Sequence, residues 1–246
     1  MIVTLRKLFE MIKKWYLFVG FFVLLFGGYF LYFFSQDDFI QSSLPVINNN
    51  VQPFSFTNQN NQIITEKDVD GKVYVAEYFF TTCKGICPKM NANMRRVYDA
   101  YKGDSSFMIL SHTCMPETDS VPLLKKYEQT MLDGKLVKNE DGTYRIDFDS
   151  TMVSKNAYTN NNWNFVTGEK KDLYKLARQS YMIDNNKPDT SSAIENQFIH
   201  TQFFALIDKK SRVRGIYDGL KEDEVQKLLS DIKEVLQERI QNRSLN

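Results

Sequence analysis

Residues 72–101 read KVYVAEYFFTTCKGICPKMNANMRRVYDAY, and the period of this stretch changes part-way along. Lys72–Phe80 (KVYVAEYFF) is a run of β-branched and aromatic residues that reads as a buried strand. From Pro88 to about Tyr101 the apolar side chains Met90, Met94, Val97, Tyr98 and Tyr101 recur at helical spacing and share one face. The junction is Thr81-Thr82-Cys83-Lys84-Gly85-Ile86-Cys87-Pro88, so two cysteines spaced C-x-x-x-C sit where a strand hands over to a helix. Unpaired backbone N–H groups and the macrodipole at a helix N-terminus stabilise a thiolate, which predicts acidic, reactive sulfurs. A spacing of four places both side chains on one face if the turn is helical. Two sulfurs so placed can close a disulfide or hold one soft metal ion. The plainer alternatives are a structural disulfide or two unrelated buried cysteines.

Two thiolates with an imidazole make a soft, low-coordinate site that favours copper, above all Cu(I). Zinc accepts the same ligands but usually takes four. The chain has two histidines, His112 and His200. His200 immediately precedes a late strand, in FIHTQFFALID, where a ring nitrogen could complete a trigonal site. The plainer reading of a lone histidine is a structural hydrogen-bonder, and His112, at a strand end, is read that way.

Further elements flank this core. Phe107–His112 reads as a strand and Val121–Leu132 as a helix with Pro122 in its first turn. Asn164–Val166 is a short strand before a helix at Lys170–Tyr181, whose apolar face carries Leu173, Leu176 and Ala177. Gln202–Ile207 and Val213–Tyr217 are separated by a turn at Asp208–Ser211 and are close enough to pair antiparallel. A long helix, Glu222–Gln241, follows. Residues 134–162, rich in Lys, Asn and Asp, read as an insertion holding a small hairpin around Tyr144–Phe148. Strand–helix alternation ending in a hairpin and a helix predicts a three-layer α/β domain with a mixed sheet, in thioredoxin-like order.

The 246 residues include 31 Lys+Arg and 30 Asp+Glu, and a net charge of +1 gives no electrostatic reason for a nucleic-acid partner. Three cysteines are too few for a disulfide scaffold, and one must stay unpaired in a monomer. Trp15–Phe34 (WYLFVGFFVLLFGGYFLYFF) holds no charge, and as a helix its 20 residues span about 30 Å, the thickness of a bilayer core. Trp15, Tyr16, Tyr29 and Tyr32 lie toward its ends, where such rings favour the interface. Arg6, Lys7, Lys13 and Lys14 precede it, while Asp37 and Asp38 follow. The positive-inside rule therefore predicts a cytoplasmic segment at 1–14, an anchor at 15–34, a linker at 35–50 and an exported domain at 51–246. No small-residue cleavage site follows the apolar run, so the anchor is read as uncleaved. Glu10 is unlike an acid-poor transit peptide, which favours a bacterial inner membrane with the C-terminal domain in the periplasm.

Four blocks carry a family resemblance: FFTTCKGICPKMNANM (79–94), SHTCMPETDS (111–120), WNFVTGEKKDLYKLA (163–177) and HTQFFALIDKKSRVRGIYDG (200–219). In this order they resemble the SCO/SenC family of copper-binding cytochrome oxidase assembly proteins. The resemblance implies a thioredoxin-like fold and one copper ion, Cu(I) in preference to Cu(II), held by Cys83, Cys87 and His200. It implies delivery of copper to the binuclear copper site of cytochrome c oxidase subunit II, or preparation of that site's thiols. Another copper acceptor and a thiol reductant are the further partners expected. The chain departs from the pattern at Ile199 and Thr201, where many relatives have Asp and Ser around the liganding His. It departs again at Met115-Pro116-Glu117-Thr118-Asp119, where many read D-P-E-R-D. Cys114 is read as a small hydrophobe at a strand end, with a resolving thiol or an auxiliary soft ligand as the sharper alternative. Two enzymes compete with a chaperone. A membrane-tethered thiol–disulfide oxidoreductase would use Cys83 and Cys87 as a redox-active disulfide. A peroxide-reducing relative would attack with Cys83. The chaperone is placed first, and it has no catalytic residue.

Overall fold

A computed structural model describes residues 2–35, 42–149, 162–184 and 201–238, which form two separate units. The first is a single 34-residue helix, α1 (Ile2–Ser35). Within it Ile12–Tyr32 has a mean hydropathy of 1.8 and no buried side chains, so by length and composition it can cross a membrane. The apolar run read at 15–34 thus belongs to a helix that starts much earlier in the chain.

The second unit is built on a mixed sheet. Its strands are β1 (Ser55–Asn58), β2 (Ile63–Thr65), β3 (Val73–Phe79), β4 (Phe107–Thr113), β7 (Trp163–Thr167), β8 (Phe203–Ile207) and β9 (Val213–Asp218). Among the described residues they lie in the order β2-β1-β7-β4-β3-β8-β9. The centre is parallel: β3 runs beside β4 from Val73 opposite Phe107 to Phe79 opposite Thr113, and β4 runs beside β7. Both flanks are antiparallel, β8 and β9 on one side, β1 and β2 on the other. The β8–β9 pair is the hairpin read from the sequence. The β1–β2 pair was not foreseen, because strands of four and three residues carry too little alternation to stand out.

The alternation of β3 explains the three layers. Val73, Val75 and Phe79 point to one face, where they meet α3 (Cys87–Tyr101), α4 (Val121–Asp133) and α6 (Glu222–Gln237). Tyr74, Ala76 and Tyr78 point to the other, under α5 (Lys170–Lys175) and the π-helical turn Leu176–Tyr181 that continues it. On the first face α3 buries Met90, Met94 and Val97 completely, each worth roughly 1.5–3 kcal/mol of transfer free energy. The regular helix expected at 170–181 therefore widens half-way, and it ends at Met182 in the left-handed region at φ 61°. The short helix α2 (Glu66–Val69) links β2 to β3 behind a capping box at Thr65.

The insertion carries a hairpin, β5 (Lys135–Lys138) and β6 (Tyr144–Asp147), with Gly142 at φ 83° in its turn. It lies across α3, with the Arg96 guanidinium 4.1 Å from the Tyr144 ring centroid. The rest of the insertion, 150–161, is outside the described residues. Ser42–Asn50, read as linker, is laid along the domain: Ile47 N–H donates to Val213 O at 2.8 Å, and Asn48 bridges to Val213.

Candidate metal centre

Strand β3 delivers the chain to the cysteine pair, and α3 carries it away. After Phe79 the backbone turns, with Cys83 N–H donating to Phe80 O at 3.2 Å. Cys87 is the first residue of α3, and Pro88 follows in the first turn, where its missing N–H costs nothing. Cys83 is half-buried beside the exposed Thr82, Lys84, Gly85 and Ile86, whereas Cys87 is buried. Both thiols are free, and the Cys87 thiol hydrogen-bonds to Cys83. Cys87 is not acidic as its helix N-terminus predicts. Burial against the face that holds Phe79 and Met90 pushes its thiol well up, and the bond to Cys83 adds to that. Desolvation dominates because this side chain is buried in the core.

A buried carboxylate supports the turn from the side. Asp119 accepts from the Thr81 hydroxyl at 2.6 Å, from the Thr81 N–H at 3.2 Å and from the Thr113 hydroxyl. Cys114 N–H donates to Phe79 O at 2.8 Å, so the 113–119 loop and the cysteine turn are one hydrogen-bonded unit at the C-terminal ends of β3 and β4. Below the turn lies a second polar group. Glu77, fully buried, accepts from the Ser111 hydroxyl at 2.5 Å, and Ser111 accepts from the Trp163 indole at 2.8 Å. Burial pushes the Glu77 carboxyl up to about 8. Asn91 donates to the Tyr127 hydroxyl at 2.5 Å, and the Tyr127 ring stacks on Phe79.

Cys114 belongs to the opposite face of the sheet from Cys87, among Tyr78, Tyr174 and Leu173; burial holds its thiol far above the usual range, and the charges of Cys87, Asp119 and Cys83 add to that. Its environment is that of a small hydrophobe. Met90 is core. His112 also lies on that opposite face, stacked on Tyr78 at 4.9 Å, with Nδ1 3.3 Å from Glu77 O. Burial lowers its pKa to about 4, so it is a neutral structural residue. His200 lies outside the described residues. The chain resumes at the buried Thr201, and β8 runs antiparallel to β3 with Ala205 opposite Ala76. Because the pair is antiparallel, β8 enters the sheet with Phe203 at the end where β3 finishes.

The profile of the SCO1/SenC family matches residues 46–137 and 145–237. The chain belongs to the SCO1/SenC family. A SCO1 protein homolog of Bacillus subtilis (strain 168) is 28% identical over 189 residues, 76% of this chain and 83% of that protein. A SCO1/SenC family lipoprotein from Bacillus anthracis str. Ames, solved by crystallography, superposes with a TM-score of 0.57 at 25% identity, over 78% of this chain and 97% of that one. ScoI of Bradyrhizobium japonicum, solved with copper bound, shares the fold at a TM-score of 0.50 and 18% identity, over 76% of this chain and 98% of that one.

In this SCO1/SenC chain the donor chemistry fits a soft cation. Two sulfurs within hydrogen-bond reach of each other, one half-buried and one buried, stand at a strand–helix junction. Sequence reasoning missed the parts played by Asp119 and Glu77. Asp119 was visible as the last residue of the MPETD block. Glu77 was visible as a lone carboxylate within an otherwise apolar strand, where a charged residue needs a reason.

Proposed function

We propose that this chain is a membrane-anchored copper chaperone for cytochrome c oxidase assembly. Cys83, Cys87 and His200 hold one copper ion, Cu(I) in preference to Cu(II). They pass it to the binuclear site of subunit II, or to another acceptor. The observation that carries the reading is the contact between the free Cys83 and Cys87 sulfurs inside a block shared with the SCO1/SenC family. Copper is cargo here, and two thiolates with one imidazole supply the soft, low-coordinate grip it prefers. Cys87 keeps its proton in the metal-free domain, so taking up the ion releases that proton. Cys83 is the sulfur nearer solvent, which makes its side the approach for an acceptor's thiols. Asp119 fixes the turn through Thr81, so the two sulfurs keep their spacing when the cargo leaves. Oxidation of Cys83 and Cys87 to a disulfide blocks uptake, and a thiol reductant restores it. Residues 1–14 are cytoplasmic, 15–34 anchor the chain in a bacterial inner membrane, and the domain faces the periplasm. The charge asymmetry around the apolar helix supports that orientation.

Cu(I) titration of the reduced full-length protein in detergent, against a competing chelator, tests this. One tight equivalent is expected, lost in Cys83→Ser and in Cys87→Ser. In His200→Ala it should weaken by about tenfold or more, which is about 1.4 kcal/mol. The second reading, a thiol–disulfide oxidoreductase, rests on the same sulfur contact. It takes over if copper binding ignores His200 while a dithiol peptide still reduces the oxidised pair.

A further inference from the structure

Residues 42–50 lie on the domain without belonging to its core. None of them is buried, Val46 and Ile47 stand 40% and 46% exposed, and the first buried residue is Val51. Polar bonds hold the segment down. Ser42 N–H and Ser43 N–H donate to Glu238 and Glu234 at 2.9 and 2.7 Å, Arg214 donates to Leu44 O at 2.7 Å, and the Asn48 side chain donates to Ser180 O at 2.8 Å. A segment rich in surface hydrogen bonds and poor in apolar burial opens before the domain unfolds. Lifting it strands no charge, because Arg214 keeps Asp208 and Glu238 as partners.

The segment is hinged at the pole away from the sulfurs. Val51 N–H donates to Ser211 O at 2.9 Å in the β8–β9 turn, and that turn is level with the start of β3. Cys83 and Cys87 follow the end of β3, about 20 Å along the strand. While the segment is docked, only residues 36–41 separate it from α1, and six residues reach at most about 20 Å. Once it is free, residues 36–50 reach about 50 Å. A compact domain the size of 51–238 is about 40 Å across. The short tether cannot let the sulfur pole turn down to the membrane plane. The long one can.

We propose that Ser42–Asn50 is a releasable strap that sets the reach of the sulfurs. Docked, it restricts them to partners standing clear of the membrane; released, it lets them exchange with a thiol at the membrane surface. The proposal rests on the readings of 15–34 as the anchor and of Cys83 as the exchanging thiol. Reduced full-length protein in lipid nanodiscs tests it. The membrane probe is a phosphatidylethanolamine with a pyridyl disulfide on its headgroup, and a soluble pyridyl disulfide is the reference. The Cys83 thiolate attacks a probe sulfur, the new S–S bond forms as the old one breaks, and the pyridinethiolate leaves with the electron pair. It takes a proton from water to give the thione, whose absorbance reports the rate. The ratio of membrane to soluble rate should rise about tenfold or more in a Glu234→Gln, Asn48→Ala double variant. It should rise equally when nine Gly and Ser residues are inserted between Gln41 and Ser42 with the strap untouched. The soluble rate should stay the same throughout. A double variant that keeps the parent's ratio overturns the strap, and an insertion without effect shows that length is not limiting and overturns it too. Hydrogen exchange in the parent is the second measurement, with the Ile47 amide expected to exchange at least about a hundredfold faster than the β3 amides. Equal protection would mean that the strap opens only on global unfolding, which also overturns it. Failure to enter the nanodiscs would defeat the anchor reading, and failure of both probes to modify Cys83 the thiol reading, each taking the strap with it.

Discussion

Glu77 and His112 stand on neighbouring central strands, on opposite faces of the sheet, and both are held uncharged by burial. Their effects on stability have opposite signs. The Glu77 carboxyl rises from an ordinary 4.5 to about 8, so between those values the native state holds one proton more than the unfolded chain, and stability falls as pH rises. The His112 imidazole falls from 6.5 to about 4, so between those values the unfolded chain holds the extra proton, and stability rises with pH. The two offset each other from about 4.5 to 6.5, and only from 6.5 to 8 does Glu77 act alone. At 1.36 kcal/mol per unit this window loses about 2 kcal/mol. Urea denaturation at pH 6.5 and 8 should show that loss in the parent and not in Glu77→Gln; an equal loss in both would show that Glu77 is not the cause. At this scale the cysteine pair was legible in the sequence, because C-x-x-x-C at a change of period is a local signal. The acidity of Cys87 was misread, because a helix N-terminus says nothing about how deeply a side chain is buried. The separation of Cys114 and His112 from the pair follows from strand alternation, which places residues 112 and 114 on the face away from Cys87.

The central strands and the long helices were legible because their periods are sustained over many residues. The hairpin β1–β2 and the π-helical turn were not. The first is too short to repeat, and the second keeps a helical pattern while adding a residue to one turn. The hairpin β5–β6 lies between these cases, since its alternation was visible and its docking was not. Gly134 makes that docking possible. A Cβ there would stand 2.3 Å from Ile146 Cγ2 and 2.6 Å from Thr130 O. Gly134→Ala should therefore push β6 out of its place across α3, at a cost of about 1–3 kcal/mol. Trypsin should then cleave after Lys138 and Arg145 sooner than in the parent, and unchanged cleavage would mean the turn absorbs the methyl.

Across the whole domain, the buried Arg214 ties together segments far apart in sequence. It pairs with Asp208 at 3.0 Å and with Glu238 at 2.8 Å, and donates to Leu44 O at 2.7 Å. Ser42 N–H reaches the same Glu238 at 2.9 Å, so residues 42–48, β9 and the end of α6 meet in one ionic group. Arg214→Ala leaves Asp208 and Glu238 short of a buried partner and should cost about 3 kcal/mol. Hydrogen exchange should quicken at 44–48 and in the last turn of α6, while alkylation of Cys83 keeps its rate. A changed alkylation rate would show that the two ends of the sheet are coupled. This group sits where β3 begins, since Val213 pairs with Ile207 and Ile207 with Tyr74, whereas the cysteines sit where β3 finishes, about 20 Å along the strand. In mechanical terms, a pull on the chain upstream of Ser42 is borne by the Arg214 ions and the Asn48–Val213 bridge and spent there, so the two sulfurs stay unloaded while the backbone behind them is under tension.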